Sequence, residues 1–173
     1  RVGVIVTDAA GDTAMTYFTL SVSDENDNAP VLAGIDDVTL SEGVAAGTQV
    51  ATASASDVDQ NDTQTYSLAE TFGDTLAIDA TSGVITTSGL DYEVSTGYRV
   101  GVIVADAAGD TAMTYFTLTV TDENDNAPYF TQTIGDVILS EGVAAGTQVA
   151  TASADDVDQN ETLTYSLADT FGD

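Results

Sequence analysis

The chain has no cysteine, histidine, lysine or tryptophan, and its only cationic side chains are Arg1 and Arg99. Each absence closes a class of function. Without Cys, no disulfide or thiolate-metal framework holds the chain together. Without His, Cys or Lys, the usual bases that activate a Ser or Thr nucleophile are missing, so an enzyme is not expected. The lack of Lys also forbids Lys–Asn isopeptide staples. The 29 Asp and Glu residues leave a net charge of −27, which excludes nucleic acid as a partner because nothing neutralises its phosphates. The same charge disfavours anionic membranes. No apolar run approaches the roughly 18 residues of a membrane span, so neither membrane insertion nor a signal peptide is expected within this segment, which reads as internal to a longer chain.

What is present is the hydrophobic content of a folded domain, 43%, and not that of simple acidic disorder. So large a charge of one sign needs counter-cations to be compact. The acidic heptapeptide DENDNAP occupies residues 24–30 and recurs at 122–128. Its interleaved carboxylates, amides and carbonyls offer many hard oxygen ligands within a few residues, as Ca²⁺ requires for six to eight contacts. The candidates are Asp24, Glu25, Asn26, Asp27 and Asn28 in the first copy, with Asp122, Glu123, Asn124, Asp125 and Asn126 in the second. The only prolines, Pro30 and Pro128, end each heptapeptide and mark a boundary, since Pro cannot continue a sheet ladder. Both heptapeptides therefore read as calcium-binding junctions between tandem modules.

The repeat extends beyond the junctions. Residues 1–28 match 99–126 with three changes, Thr7 to Ala105, Ser21 to Thr119 and Ser23 to Thr121, and SEGVAAGTQVATAS at 41 recurs at 140. Self-similarity at this period signals an array. The expected organisation is the final strands and linker of one module at 1–28, a complete module at 29–126, and the front of a third at 127–173. Neither partial piece closes a sandwich by itself. The expectation is a continuous polymeric array, with the missing strands supplied by the same polypeptide beyond this segment.

The secondary structure reads as all-β. Tyr98, Val100, Val102 and Val104 alternate and end at Asp106, while Thr114, Phe116, Leu118 and Val120 alternate and end at Asp122. Period two thus delivers a carboxylate to each strand end. Residues 107–110 form a short loop between them, giving an antiparallel hairpin. Thr48–Ser54, Thr63–Leu68, Leu76–Asp79, Val84–Thr87 and the stretch Val31–Leu40 complete about seven strands. That count matches an immunoglobulin-like sandwich.

The motifs now resemble those of the cadherin repeat. DENDNAP resembles its inter-module linker, and the other family motifs follow in family order: Ser41-Glu42-Gly43, Asp57-Val58-Asp59, Leu90-Asp91-Tyr92-Glu93, then Asp106. LAIDATSGVITT at 76–87 resembles the family's central strands. The resemblance covers essentially the whole chain and implies tandem seven-strand Greek-key β-sandwiches, cadherin-type, of about 98–99 residues. The near-identity of the copies and the lack of Cys and Trp resemble cadherin-like arrays of large bacterial surface proteins more than animal adhesion receptors.

The resemblance also implies ligand sets. At the second junction, Glu42, Asp91 and Glu93, with Asp122, Asp125 and the Glu123 carbonyl, would hold two ions. Asp158 would bridge to a third ion held by Asn124, the Asn126 carbonyl, Asp156 and the Asn160 carbonyl. At the first junction the third site would use Asn26, Asn28, Asp57, Asp59, Asn61 and Asp106. About three Ca²⁺ per junction are implied, which would bring the charge of module 29–126 from −15 to −9.

Competing readings are weaker. Asp57-Val58-Asp59-Gln60-Asn61 also resembles an EF-hand start, but Asp62 stands where Gly is needed and Leu68 where Glu is needed. Asp37, Asp62, Glu70, Asp74 and Asp110 read as solvated turn residues. Tyr66, Phe72, Tyr92, Phe116 and Tyr165 read as core or edge aromatics. Asn160 opens a formal glycosylation sequon but is expected to serve calcium through its backbone. Paired carboxylates for glycoside hydrolysis would have to be taken from the calcium set. Two functional readings remain. One is a calcium-stiffened extracellular or cell-surface stalk, adhesin or filament that contacts neighbouring modules or copies of itself. The other is a calcium-dependent carbohydrate-binding module for cell-surface or matrix glycans, which would need clustered exposed aromatics away from the junctions.

Overall fold

The computed structural model describes residues 1–60 and 62–168, and these contain strands and no helix. The chain opens with a hairpin of β1 (Val2–Thr7) and β2 (Thr13–Phe18). The complete unit follows as β3 (Val31–Leu32), β4 (Val38–Ser41), β5 (Gln49–Thr52), β6 (Ala55–Ser56), β7 (Thr65–Leu68), β8 (Leu76–Ile78), β9 (Val84–Thr87), β10 (Gly97–Ala105) and β11 (Thr111–Thr121). A last short pair, β12 (Tyr129–Phe130) with β13 (Ala154–Asp155), repeats the pairing of β3 with β6. No helix of the described residues is long and apolar enough to cross a membrane.

Two sheets enclose the core of the complete unit. One has the order β4-β11-β10-β7 and the other β5-β9-β8, with β3-β6 as a separate ladder. All pairings are antiparallel except β11 with β4, where Val120 faces Leu40. Alternation decides what is buried. Val100, Val102 and Val104 of β10 are sealed from solvent, as are Phe116, Leu118 and Val120 of β11, while Thr117 and Thr119 between the latter are exposed. Leu76, Ile85 and Val50 from the opposite sheet complete the core, as expected where two inner faces interdigitate.

The single strand expected over Val31–Leu40 is two strands. The Ala33 amide donates to the Ser54 carbonyl, holding β3 beside β6, after which the chain crosses over and β4 pairs with β11. The run expected over Thr48–Ser54 holds β5 alone, with a register irregularity between Gln49 and Ala51, and β6 begins just past it at Ala55. Counting β3 with β4, and β6 with the β5 that it follows, gives seven strands. The strand expected from Thr63 begins at Thr65.

The aromatics follow the core-or-edge expectation. Phe116 is buried, Phe72 meets Tyr98 edge to face at 5.1 Å, and the Tyr66 hydroxyl accepts the Ala55 amide at 3.0 Å. Tyr165 repeats that last contact with Ala154 in the third segment, although it is itself exposed.

The β8–β9 turn is fixed by Asp79, whose carboxylate accepts the Thr81 and Ser82 amides and the Ser82 hydroxyl. Those bonds hold the Asp79 carboxyl below its usual value. The turn closes on Gly83, at φ 71°, where an added Cβ would lie 2.5 Å from the Ala53 carbonyl oxygen. Gly109, in the β10–β11 loop, also has a positive φ, 97°, but nothing lies near its missing Cβ. Gly109→Ala should cost about 1 kcal/mol from the left-handed backbone alone. Gly83→Ala should cost at least about 1–2 kcal/mol more, because the backbone at Ala53, just past the paired neighbouring strand β5, must move. Paired urea titrations with equal m-values would measure the difference; equal losses would count against the clash.

Candidate metal centres at the module junctions

The β-sandwich places its acidic motifs at its two ends. At the end facing the second heptapeptide, Glu42 follows β4 and is only 6% exposed. It accepts the amides of Tyr92 and Glu123, thereby pinning the 90–93 loop and the linker to each other. Oxygens of Glu42, Asp91 and Glu93 lie within 4.8 Å of one another, and those of Glu93, Asp122 and Asp158 form a second such group. Glu93 belongs to the complete module, Asp122 to the linker and Asp158 to the following segment. A cleft of about 220 Å³ lies against Glu42, Asp91, Glu93 and Asp125.

Electrostatics mark the same place. Desolvation pushes the Glu93 carboxyl above its usual value, and the charges of Glu42, Asp158 and Asp122 push the same way. Asp125 is raised for the same reasons, desolvation first and then Glu42, Asp158, Asp91 and Asp122. One oxygen of Asp122, Oδ1, is buried without a partner, while Oδ2 accepts the Gln159 amide at 3.0 Å.

Both junctions share one clamp. Asp59 accepts the Asp27 and Asn28 amides and the Asn28 side-chain amide, and Asp158 accepts the Asn126 amide and side chain. The Asn28 bonds hold Asp59 below its usual value. Asp24 accepts the Gln60 amide just as Asp122 accepts that of Gln159.

At the first junction, oxygens of Asp57, Asp62 and Asp106 converge within 4.8 Å, and each residue has one buried oxygen, Oδ2, with no partner. Asp62 corrects the sequence reading, which took it for a solvated turn residue. It is half-buried and accepts from the Asn26 side chain at 2.7 Å and the Ala107 amide at 3.1 Å. The only signal in the sequence was its position in an acidic run, which turn residues share. Asp37 also does more than face solvent, since it accepts the Thr117 amide at 2.6 Å.

The remaining candidates are placed as follows. Asn124 and Asp156 line one cleft with Glu161, and Asp156 accepts the Asp158 amide. Asn160 sits at φ 61°. The Glu123 side chain accepts the Ser41 hydroxyl at 2.7 Å through Oε1. Asp27 and Asp125 each accept the side chain of the following Asn. Glu25 is exposed. Asn61 lies outside the described residues. No Lys or His exists to neutralise either acidic group, and Arg99 is occupied over the Tyr115 ring at 3.9 Å. Buried, unpartnered carboxylate oxygens without a cationic side chain fit an oxygen-liganded divalent ion.

Comparison with known proteins decides the family. Residues 36–121 match the cadherin domain model. The chain belongs to the cadherin family. Human Protocadherin-23 is 33% identical over 88% of this chain, and human Protocadherin Fat 4 is 32% identical over 98%. The chain spans only 5% and 4% of those relatives' lengths. Among solved structures, mouse Cadherin-23 EC22–24 superimposes with a TM-score of 0.74 at 25% identity, covering 91% of this chain and 52% of that one. Protocadherin Gamma B2 extracellular cadherin domains 1–5 give 0.72 at 27%, covering 92% and 32%. The immunoglobulin-like sandwich is therefore the cadherin fold, the setting is extracellular or at the cell surface, and the chain is not an enzyme.

The shifts set a pH dependence for the metal-free chain. Glu93 and Asp125 have raised folded values, so their desolvation and the repulsion of neighbouring carboxylates weaken stability near neutrality, and both are relieved as pH falls through those values. Asp59 is depressed, so its clamp persists above its ordinary 3.8 and is lost as pH falls below it. In chelator, thermal stability should therefore rise on mild acidification from pH 7 and fall again below 3.8. A monotonic fall from neutrality would contradict the assignment of repulsion to this cluster.

Proposed function

We propose that this chain is a calcium-stiffened segment of a tandem cadherin array that serves as an extracellular stalk, adhesin or filament. The modules run 29–126, with parts of neighbours at 1–28 and 127–173. The observation that carries the reading is the convergence of Glu93, Asp122 and Asp158, one from each side of the junction and one from the linker, within 4.8 Å. Ca²⁺ supplies the positive charge that these oxygens lack and takes ligands from both modules at once. About three ions per junction fit the donor set. Glu42, Asp91, Glu93, Asp122, Asp125 and Asp158 are the side chains that would hold them at the second junction. Neighbouring modules and further copies of the same protein are the partners. The carbohydrate reading finds less support, because Phe116 is in the core and Tyr66, Phe72 and Tyr92 are half-buried against it.

Two measurements test this. Small-angle scattering of the chain should show a more extended, stiffer particle with Ca²⁺ than with chelator, and identical profiles would refute the proposal. Asp125→Ala should weaken Ca²⁺ binding by roughly tenfold or more, about 1.4 kcal/mol, whereas Asp110→Ala should leave it unchanged. Comparable losses from both would make bulk acidity, not site geometry, responsible.

A further inference from the structure

The acidic group at the other end of the complete module contains a residue that the cadherin motifs do not supply. Those motifs account for Asp57 and Asp106, and from the residues that follow Asp59 they name Asn61 but not Asp62. The structure brings a third carboxylate there, that of Asp62. Asp106 is 7% exposed and its Oδ1 accepts the Gly109 and Asp110 amides, yet its Oδ2 is buried with no partner. Asp57 follows the same division: Oδ1 accepts the Asp59 amide and Oδ2 is buried and bare. Asp62 does so too, with Oδ1 tied to Asn26 of the linker and Ala107 of the β10–β11 loop, and Oδ2 buried and bare.

Three carboxylates from two loops, β6–β7 and β10–β11, thus each spend one oxygen on fixing backbone or linker and leave the other without a partner. If the role of Asp62 were only to brace Asn26 and Ala107, a neutral amide would do it without adding charge beside half-buried Asp57 and buried Asp106. A buried carboxylate with an empty oxygen is costly unless a cation meets it.

We propose that Asp62 is a direct carboxylate ligand of the divalent cation held by Asp57 and Asp106, an addition to the cadherin ligand set. The proposal rests on the calcium reading above. Through Asn26, the same residue couples occupancy of that ion to the position of the linker. Each added carboxylate strengthens an oxygen site, since ligand charge count tunes Ca²⁺ affinity. The next repeat keeps an acid at the corresponding place, Glu161, beside Asn124 and Asp156.

Asp62→Asn removes the charge but keeps an acceptor oxygen for the Ala107 amide. Calorimetric Ca²⁺ titration of the full chain should show one site weakened by about tenfold or more, the others unchanged, and Asp110→Asn identical to the parent. Thermal melts should cross over: less stable than the parent in Ca²⁺, but equally or more stable in chelator, where one of three repelling charges has gone. An Asp62→Asn isotherm matching that of the parent overturns the ligand role. So does an equal loss of stability with and without Ca²⁺, which is the signature of a brace. If the parent itself binds no Ca²⁺, the calcium reading falls, and the ligand role with it.

Discussion

Carboxylates brought together without any cationic side chain to meet them are the constraint on which the rest of this molecule depends. Glu42, Asp91, Glu93, Asp122 and Asp158 converge at one end of the complete module, and Asp57, Asp62 and Asp106 at the other. In a medium of reduced polarity, such convergence is unfavourable for the chain alone, and the raised values of Glu93 and Asp125 record it. The apolar core pays the cost of holding them there. Val100, Val102 and Leu118 fix the strands from which the acidic loops emerge, so the loops cannot drift apart without unpacking the sandwich. Bound cations turn that liability into a joint.

The joint is built from both sides by a division of labour within single residues. Asp59 and Asp158 use their oxygens to hold the linker amides, and Glu42 bridges the 90–93 loop to the linker. These contacts position the linker through protein groups alone. Repetition of the clamp at residues 59 and 158 means that the device is carried by each module and not by one special junction.

The sandwich and the ends of the long strands were legible because period-two alternation and strand-end Asp residues are local signals. Val100, Val102 and Val104 alternate in sequence and are buried together in space. The division of Val31–Leu40 into β3 and β4 was not legible. Its residues favour extended backbone throughout, and which sheet each half joins depends on Ser54 and Thr121, which are distant in sequence. Asp62 was misjudged for a similar reason. An Asp in a polar loop is ordinarily solvated, and only the approach of the β10–β11 loop, through Asp106 and Ala107, buries one of its oxygens.

By itself, then, the sequence determined the repeat length, the all-β class, the lack of catalytic groups and the oxygen-rich chemistry of the linkers. These follow from composition and short-range pattern, which any folded state of the chain must carry. Tertiary structure brings together the acids that the resemblance had grouped, and it alone added Asp62 to Asp57 and Asp106. Glu42 and Asp91 are distant in sequence, as are Asp62 and Asp106, and each pair is joined only because two sheets close over a shared core. Whether a carboxylate is a solvated charge or a candidate ligand depends on the neighbours that closure supplies, and no local pattern encodes them.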